Sequence, residues 1–315
     1  MKLQEYIDLA SRILNESDFD GKPQNLYNPL NYITKLGGKR IRPALSLLGY
    51  HIVKANWQEA VPLAKAVEYF HNFSLMHDDI MDKSPLRRGK EAVHVKWNEP
   101  TAILSGDLML IKCYEELAKL KNWQIFNTFC QMAEEVCQGQ QLDMDFESAK
   151  NITIKEYVEM VRLKTSVLIG KALSMGARLA GASKIAIVCL EKFGTHLGIG
   201  FQIMDDYLDT FGQSYKTGKR VGQDILDQKR SLPYLLAENT LDENGVNDFK
   251  NLFSTFEEEI LVDKVRKFLI QRNIDQKTIK MAQEYFDLAQ KELDSLEYST
   301  GALRELLSFL KDRDF

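Results

Sequence analysis

The sequence is poor in the residues that indicate a secreted, fibrous or membrane protein. Its four cysteines in 315 residues form no CxxC pair, which argues against a disulfide framework and favours a reduced, cytoplasmic protein. Only seven prolines occur, and no low-complexity tract or long linker is indicated. No apolar run approaches the length of a membrane span, and the N-terminus lacks the apolar core of a signal peptide.

The sequence also lacks a large excess of charge of either sign. Lysine and arginine together number 41 and aspartate and glutamate 45, a net charge of −4 that does not indicate a nucleic-acid surface. GxGxxG, HExxH and GxSxG are absent, and the TGK at 217–219 has neither the spacing nor the upstream strand of a P-loop. The sequence therefore offers no redox or nucleophile motif.

What is present is an apolar pattern with a helical period. This pattern covers residues 41–54, 60–80, 101–120, 123–141, 154–181, 184–211 and 231–238. It also covers both chain ends, and the last helix is predicted to have an apolar stripe of Leu303, Leu306, Leu307 and Leu310. Loops are predicted at 18–29, 83–91, 145–152, 212–228 and 240–248, where Gly, Pro or polar residues cluster. No period-2 strand appears. We predict an all-α protein with a single domain over residues 1–315.

One aspartate pattern occurs twice, as DDIMD at 78–82 and DDYLD at 205–209. Residues one helical turn apart share a face, so Asp78 lies above Asp82 and Asp205 above Asp209. Hard carboxylate oxygens of this kind bind Mg²⁺ that also holds phosphates. A single cluster is explained equally well by a solvated helix face. Two copies inside apolar helices favour a metal site, because charges there need a partner.

Cations and small residues lie near these patterns. The segment 37–43 reads GGKRIRP, 86–89 reads LRRG, and Lys164-Thr165 lies in an otherwise apolar helix. Glycines let backbone approach an anion, and arginine matches phosphate oxygens. The first two segments are weak indications alone, whereas a buried lysine needs a negative partner such as a phosphate. A lone histidine in a helix, like His71 or His77, is more often a core residue, but these two flank the first aspartates. Together with the aspartates they indicate metal-bridged diphosphate chemistry.

In this order the motifs resemble those of the trans-isoprenyl diphosphate synthases, also called polyprenyl synthetases. The resemblance covers residues 37 to about 233. Its motifs are GGKRxRP at 37–43, the first aspartate-rich region at 71–82, RRG at 87–89, GD at 106–107, GQ at 139–140, KT at 164–165, the second aspartate-rich region with FQ and DDxxD at 201–209, and Gly218, Lys219, Asp224 and Lys229. Gln228 and Ser231 depart from the family's usual Gly and Thr, so we expect altered loop packing there.

The resemblance implies an all-α bundle around a central cavity, the isoprenoid synthase type I fold, usually as a homodimer. It implies head-to-tail condensation of an allylic diphosphate with isopentenyl diphosphate, using three Mg²⁺ ions. The implied metal residues are Asp78, Asp82 and Asp205, supported by Asp79, Asp206 and Asp209. The allylic diphosphate is assigned to Arg87, Lys164, Thr165, Gln202, Lys219 and Lys229, and isopentenyl diphosphate to Lys39, Arg42, His71 and Arg88. The catalytic set is Asp78, Asp82, Lys164, Thr165, Gln202 and Asp205.

Product length is expected to depend on the two positions that precede Asp78 by about one turn, Phe73 and Ser74. A single aromatic at the fifth position before Asp78 resembles the pattern of short-chain synthases of the geranylgeranyl type. Phe70, nearly one turn further from Asp78, is a second candidate for the residue that limits the length of the product. We therefore expect a C15–C20 product, with geranylgeranyl diphosphate favoured over farnesyl diphosphate. The alternative is that Phe73 is ordinary core.

Two other functions are compatible with one DDxxD cluster. A class I terpene cyclase carries a second motif resembling (N/D)DxxSxxxE, which differs from DDYLD at 205–209, and it needs no second basic site. A non-catalytic subunit of a heteromeric prenyl synthase typically loses an aspartate cluster, whereas both are intact in this chain. Isopentenyl diphosphate binding distinguishes the first alternative, and activity of the chain alone distinguishes the second.

Overall fold

The computed structural model describes residues 1–212 and 222–311. In chain order the α-helices are α1 (Leu3–Asn15), α2 (Gln24–Lys35), α3 (Ile41–His51), α4 (Val61–Met81), α5 (Val93–Lys96), α6 (Glu99–Lys119), α7 (Trp123–Ser148), α8 (Ile154–Val161), α9 (Val167–Leu179), α10 (Lys184–Phe211), α11 (Gln223–Leu226), α12 (Leu232–Thr240), α13 (Glu243–Thr255), α14 (Glu258–Gln271), α15 (Ile274–Asp294) and α16 (Gly301–Lys311). The prediction of an all-α protein is confirmed.

Three short elements interrupt this helical order. A 3₁₀ turn at Trp57–Ala60 precedes α4, and a π-helical turn at Arg162–Ser166 joins α8 to α9. The strands β1 (Leu86–Arg87) and β2 (Lys90–Glu91) form an antiparallel hairpin that the apolar period did not predict. Its turn is Arg88-Gly89, with φ of 54° and 74°. Two consecutive positive φ values suit a tight hairpin turn, which places Arg88 at the tip.

Four predicted loops are partly helical, and the one at 212–228 contains the short helix α11 at Gln223–Leu226. Helix α2 begins at Gln24 directly after Pro23, and α7 continues to Ser148. Helix α13 begins at Glu243, because the Asp242 side chain accepts a hydrogen bond from the Gly245 N–H at 2.8 Å. Clustered Gly, Pro or polar residues indicated loops at these places, whereas proline and aspartate also favour helix starts.

The first of two compact units comprises Met1–Gln131, Lys171–Glu191 and Leu296–Glu305. Helix α4 packs mainly against α6 in this unit, and α3 packs against α4 and α1. The backbones of α3 and α9 approach closely, since a Cβ at Gly49 would overlap the Leu173 carbonyl. The unit therefore holds the first aspartate pattern on a helix that is packed on several sides.

The second unit comprises the described residues of Met132–Gly170, Lys192–Ser295 and Leu306–Phe315. Helix α12 packs against α15 and α8 within it. A Cβ at Gly198 would overlap Ser166, so α10 lies directly against the π-helical turn. The prediction that residues 1–315 form a single domain stays a prediction.

The predicted apolar stripe of the last helix is confirmed. Leu303, Leu306, Leu307 and Leu310 are at most 5% exposed. In the described part of the chain, every helix is too short or too polar to cross a membrane.

One buried ion pair stabilises the start of α3. Arg40 has a φ of 49° and precedes Ile41, the first residue of the helix. Its guanidinium is buried and donates hydrogen bonds to the Glu68 carboxylate of α4 and to the Thr34 carbonyl of α2. The pair therefore links three helices of the first unit through one side chain.

We expect Glu68→Ala to lower the free energy of unfolding by about 3–5 kcal/mol, because it leaves a buried guanidinium without a counter-charge. The matched control is Glu115→Ala, which breaks the solvent-exposed pair with Lys112 and should cost less than about 1 kcal/mol. Urea unfolding followed by circular dichroism measures both. Equal costs would contradict the role given to the Arg40–Glu68 pair.

Candidate active site

The first aspartate pattern lies at the C-terminal end of α4. The Asp82 N–H donates to the Asp78 carbonyl at 2.8 Å, so the two residues are one helical turn apart, as predicted. Asp79 is buried, and its carboxylate accepts hydrogen bonds from Arg87 of the hairpin, with an Nε–Oδ1 distance of 2.9 Å. Burial raises the pKa of Asp79 although Arg87 opposes the shift. Asp79 therefore fixes Arg87 beside Asp78 and Asp82.

The hairpin also reaches the GGKRIRP segment. Arg88 donates a hydrogen bond to the Gly37 carbonyl. Gly38 has a φ of 125°, a conformation that favours glycine, and a Cβ there would overlap the Arg88 guanidinium. The second glycine of the motif is thus explained by the space that Arg88 occupies.

Three of the four residues predicted to bind isopentenyl diphosphate lie together in this unit, namely Arg42, His71 and Arg88. Arg42 and His71 are in contact, with an Nη1–Nε2 distance of 3.4 Å. Burial lowers the pKa of His71 well below its ordinary value, and the positive charges of Arg42, Arg88, Arg87 and Arg40 lower it further. The histidine is therefore neutral near pH 7 and sits among cations. Lys39 belongs to the same GGKRIRP segment.

The cations of this cluster differ in how they are paired. The Glu68 carboxylate contacts Arg40, whereas within residues 1–212 and 222–311 the Nε of Arg42 is buried without a hydrogen-bond partner. Burial lowers the pKa of Arg42, the charge of Glu68 opposes this shift, and the charge of Arg88 adds to it. A bound anion would relieve this repulsion, because charge-assisted hydrogen bonds to phosphate suit arginine.

The π-helical turn in the second unit carries Lys164 and Thr165. A Cβ at Gly139 of α7 would overlap the Lys164 backbone, so the glycine of the GQ motif lets α7 approach this turn. Lys164 donates to Asp143 of α7 at 2.5 Å. Burial alone would raise the pKa of Asp143, but the charges of Lys164 and Lys229 lower it. Such π-helical turns occur frequently at functional sites.

Polar side chains connect this turn to α10. The Thr165 hydroxyl donates to Gln202 Oε1 at 3.4 Å, and Gln202 Nε2 donates to Asp206 Oδ1 at 3.0 Å. Asp206 is buried, and its Oδ2 accepts from the Tyr157 hydroxyl at 2.6 Å and from the Leu232 N–H at 2.9 Å. Two residues of the predicted catalytic set, Thr165 and Gln202, are therefore in contact.

The remaining carboxylates of the second pattern lie close to Asp224. The Asp224 N–H donates to Asp209 Oδ2 at 2.9 Å, and the Lys229 N–H donates to the Asp224 carbonyl at 2.8 Å. Burial raises the pKa of Asp206 to about 6, and the negative charge of Asp224 adds to the shift. Burial and the charge of Asp209 likewise raise the pKa of Asp224 to about 6. This excess of negative charge suits a site for divalent cations.

The carboxylates alone do not form a metal cage. Among the residues that the structure describes, no three His, Cys, Asp or Glu side chains are placed to hold one ion together. Mg²⁺ usually keeps several waters and binds through one or two carboxylates plus substrate phosphates. The half-buried Asp78 and Asp205, with Asp82 and Asp209 one turn further, offer this kind of donor set.

The residues assigned to product length lie on α4. The Phe73 ring is half-buried and packs against Phe70 at 5.7 Å and His77 at 4.7 Å between ring centroids. Phe70 is fully buried and packs against Phe129 of α7. The Ser74 hydroxyl donates to the His71 carbonyl within the helix. Phe73 thus stands one turn before Asp78, between an aspartate pattern and buried aromatics.

Comparison with known proteins identifies the family. The family model described as Polyprenyl synthetase matches residues 23–269. The chain belongs to the polyprenyl synthetase family.

Individual relatives support this assignment. The chain is 44% identical to the geranylgeranyl diphosphate synthase of Methanosarcina mazei over 216 residues, 67% of each protein. It is 34% identical to the short chain isoprenyl diphosphate synthase of Methanothermobacter thermautotrophicus over 314 residues, 98% of this chain and 96% of the relative. A crystal structure of geranylgeranyl pyrophosphate synthase superposes with a TM-score of 0.91 at 38% identity, covering 98% of this chain and 97% of that one. The fold is therefore the all-α isoprenoid synthase type I fold.

Three polar partners in this polyprenyl synthetase were not predicted as site residues. Glu68, Asp143 and Tyr157 each contact a residue of a recognised motif, namely Arg40, Lys164 and Asp206. Asp143 follows the GQ motif by one helical turn, a spacing that could have indicated it. Tyr157 and Glu68 carry no such local signal. Lys219, assigned to the allylic diphosphate, lies outside the described residues.

Proposed function

We propose that this chain is a trans-prenyltransferase that condenses isopentenyl diphosphate head-to-tail with allylic diphosphates. The proposed product is a short-chain trans-polyprenyl diphosphate of C15–C20, with geranylgeranyl diphosphate favoured. The observation that carries the proposal is the pairing of each aspartate pattern with cations in its own unit. Arg87 interacts electrostatically with Asp78 and Asp82. Asp205, Asp209 and Lys229 all interact electrostatically with Asp224.

The reaction is proposed to depend on Mg²⁺. Asp78, Asp82 and Asp205, supported by Asp79 and Asp209, provide hard oxygen donors that suit this ion. When bound, Mg²⁺ neutralises the diphosphate and makes pyrophosphate a better leaving group. Arg87, Lys164, Lys219 and Lys229 are proposed to hold the remaining phosphate oxygens. Asp79 and Asp143 keep Arg87 and Lys164 oriented by ion pairs.

The chemistry after binding follows from the polar and charged groups. Loss of pyrophosphate leaves an allylic cation, and oxygen dipoles placed in advance stabilise such a charge. Thr165 and Gln202 carry side-chain oxygens that meet in one contact. Lys39, Arg42, His71 and Arg88 are proposed to hold isopentenyl diphosphate, whose double bond attacks the cation. Released pyrophosphate is the proposed acceptor of the proton that is then lost.

The remaining proposals concern the assembly. We propose that residues 1–315 act as one polyprenyl synthetase domain, that the enzyme is a homodimer, and that it works in the cytoplasm. Incubation with Mg²⁺, isopentenyl diphosphate and dimethylallyl, geranyl or farnesyl diphosphate in turn, followed by sizing of the products, tests the reaction. Failure to consume isopentenyl diphosphate with any starter would exclude the proposed function.

Replacing a metal-binding carboxylate should abolish most activity. We expect Asp78→Asn and Asp205→Asn each to lower kcat by several orders of magnitude, at ~1.4 kcal/mol of lost transition-state stabilisation per tenfold. Steady-state kinetics over a range of Mg²⁺ concentrations measures this. Asp20→Asn, in an exposed loop, is the control and should match the parent enzyme. Near-normal turnover of either site variant contradicts the metal assignment.

Single substitutions should affect the binding of one diphosphate substrate and not that of the other. We expect Lys39→Ala and Arg88→Ala to raise KM for isopentenyl diphosphate at least tenfold, because a charge-assisted phosphate contact contributes roughly 1.5–3 kcal/mol. The KM for the allylic substrate should change far less. Lys155→Ala removes an exposed lysine and should change neither KM. Equal increases in the two KM values would disprove the division into two binding sites.

Product length should respond to Phe73. We expect Phe73→Ala to open a cavity on α4 and shift the products to longer chains, while the first condensation proceeds at nearly the parent rate. Chromatographic sizing of the dephosphorylated products measures the shift. The matched control is Phe309→Ala, since Phe309 is 52% exposed and lies outside the site. An unchanged product distribution would show that Phe73 is ordinary core.

A further inference from the structure

Asp206 differs from the other carboxylates of the second aspartate pattern in how its oxygens are used. Oδ2 accepts hydrogen bonds from the Tyr157 hydroxyl at 2.6 Å and the Leu232 N–H at 2.9 Å. Oδ1 accepts from Gln202 Nε2 at 3.0 Å. The residue is only 6% exposed. Both oxygens are thus engaged by donors from three separate segments of the second unit.

These contacts determine which way the Gln202 amide faces. An ionised carboxylate can only accept hydrogen bonds, so the NH₂ end of Gln202 must point at Asp206. The carbonyl end then points the other way, where Oε1 accepts from the Thr165 hydroxyl at 3.4 Å. A glutamine amide is nearly symmetric in shape but opposite in polarity at its two ends. Its orientation therefore sets the sign of the dipole beside Thr165.

We propose that Asp206, held in place by Tyr157, is a positioning residue that turns the Gln202 carbonyl oxygen towards the reacting allylic carbon. This inference rests on the proposed prenyl transfer and assigns a function to Tyr157. With the oxygen facing the developing cation, the amide stabilises the transition state. An inverted amide would present N–H groups with partial positive charge and would oppose ionisation.

The rigidity of the arrangement comes from the elements that hold Asp206. Tyr157 is a fully buried residue of α8, and Leu232 is the first residue of α12. Both direct a hydrogen at the same oxygen, Oδ2. An amide introduced at position 206 can therefore fit in one way only. Its oxygen must take the Oδ2 place, which leaves its NH₂ group facing Gln202.

This constraint gives a sharp test. In Asp206→Asn two NH₂ groups would meet, so Gln202 must invert to offer its oxygen. We expect the single-turnover rate of condensation to fall by about 10²-fold, the scale of losing one oriented dipole at a developing charge. Dissociation constants for both diphosphates, from isothermal titration, should change less than about threefold, because the proposed role appears only in the transition state.

The exchanged pair should restore the reaction. In Asp206→Asn/Gln202→Glu, the introduced carboxylate accepts from the introduced amide and again presents an oxygen to Thr165, with the total charge unchanged. We expect the condensation rate of this double variant to be at least about tenfold higher than that of Asp206→Asn. Gln202→Glu alone places two carboxylates together and should be slow. Recovery in the double variant is not expected from a merely structural role.

Tyr157→Phe tests the tyrosine without altering charge. It removes one of the two donors on Oδ2, and we expect an intermediate loss of kcat with KM values nearly unchanged. The matched control is Tyr50→Phe, since the Tyr50 hydroxyl also donates to a carboxylate, that of Glu59, in the first unit. The control should keep the parent kcat. Equal kcat losses in the two tyrosine variants would overturn the assignment of Tyr157.

The outcomes distinguish failure of the proposed function from failure of the positioning role of Asp206. A parent enzyme that consumes no isopentenyl diphosphate contradicts the proposed function itself. With an active parent, the positioning role of Asp206 is overturned by an Asp206→Asn rate equal to the parent rate. It is also overturned if the double variant is no faster than Asp206→Asn. A third contrary outcome is that a raised Mg²⁺ requirement of Asp206→Asn accounts for its whole loss of rate. If Asp206→Asn does not fold, the condensation rate of the folded double variant is compared with that of Gln202→Leu. A double variant at least tenfold faster than Gln202→Leu supports the proposal, and equal rates overturn it.

Discussion

Charged side chains on apolar helices require partners, and in this protein the partners also orient the residues of the candidate site. Asp79 is buried on α4 and holds Arg87, and Asp143 on α7 holds Lys164. Because desolvating an unpaired charge costs several kcal/mol, breaking either pair would destabilise the protein strongly. The cations are therefore held near the aspartate patterns before any substrate arrives, which lowers the entropy lost on binding.

Where pairing is incomplete, the remaining charge indicates what the protein binds. Arg42, Arg88 and neutral His71 lie together, while the Glu68 carboxylate contacts Arg40. Around Asp224 the imbalance has the opposite sign, and burial with neighbouring carboxylates raises the pKa of both Asp206 and Asp224 to about 6. One cluster is suited to an anion and the other to divalent cations. Both kinds of site are needed for chemistry on a metal-bound diphosphate.

Close backbone contacts explain several motif residues that carry no chemistry. Gly139 allows α7 to lie against the turn that carries Lys164, and Gly38 leaves room for the Arg88 guanidinium. Lys164 and Thr165 lie in the π-helical turn, a local geometry that is frequent at functional sites. These glycines therefore act on the site by removing side-chain volume, and a methyl group at either place would displace a cation.

The sequence by itself determined the helical class, most helix positions and the one-turn spacing of Asp78 and Asp82, because these depend on local periodicity. The motifs also pointed to the polyprenyl synthetase family, since their order along the chain is a property of the sequence alone. Local patterns misjudged α2 and the start of α13, because loops were predicted at 18–29 and 240–248 whereas helices begin at Gln24 and Glu243. Only the tertiary structure decided that Glu68 pairs with Arg40, that Asp143 pairs with Lys164, and that Tyr157 and Leu232 hold Asp206. Those partners are 21 to 49 residues apart and meet because helices pack, which no local pattern encodes.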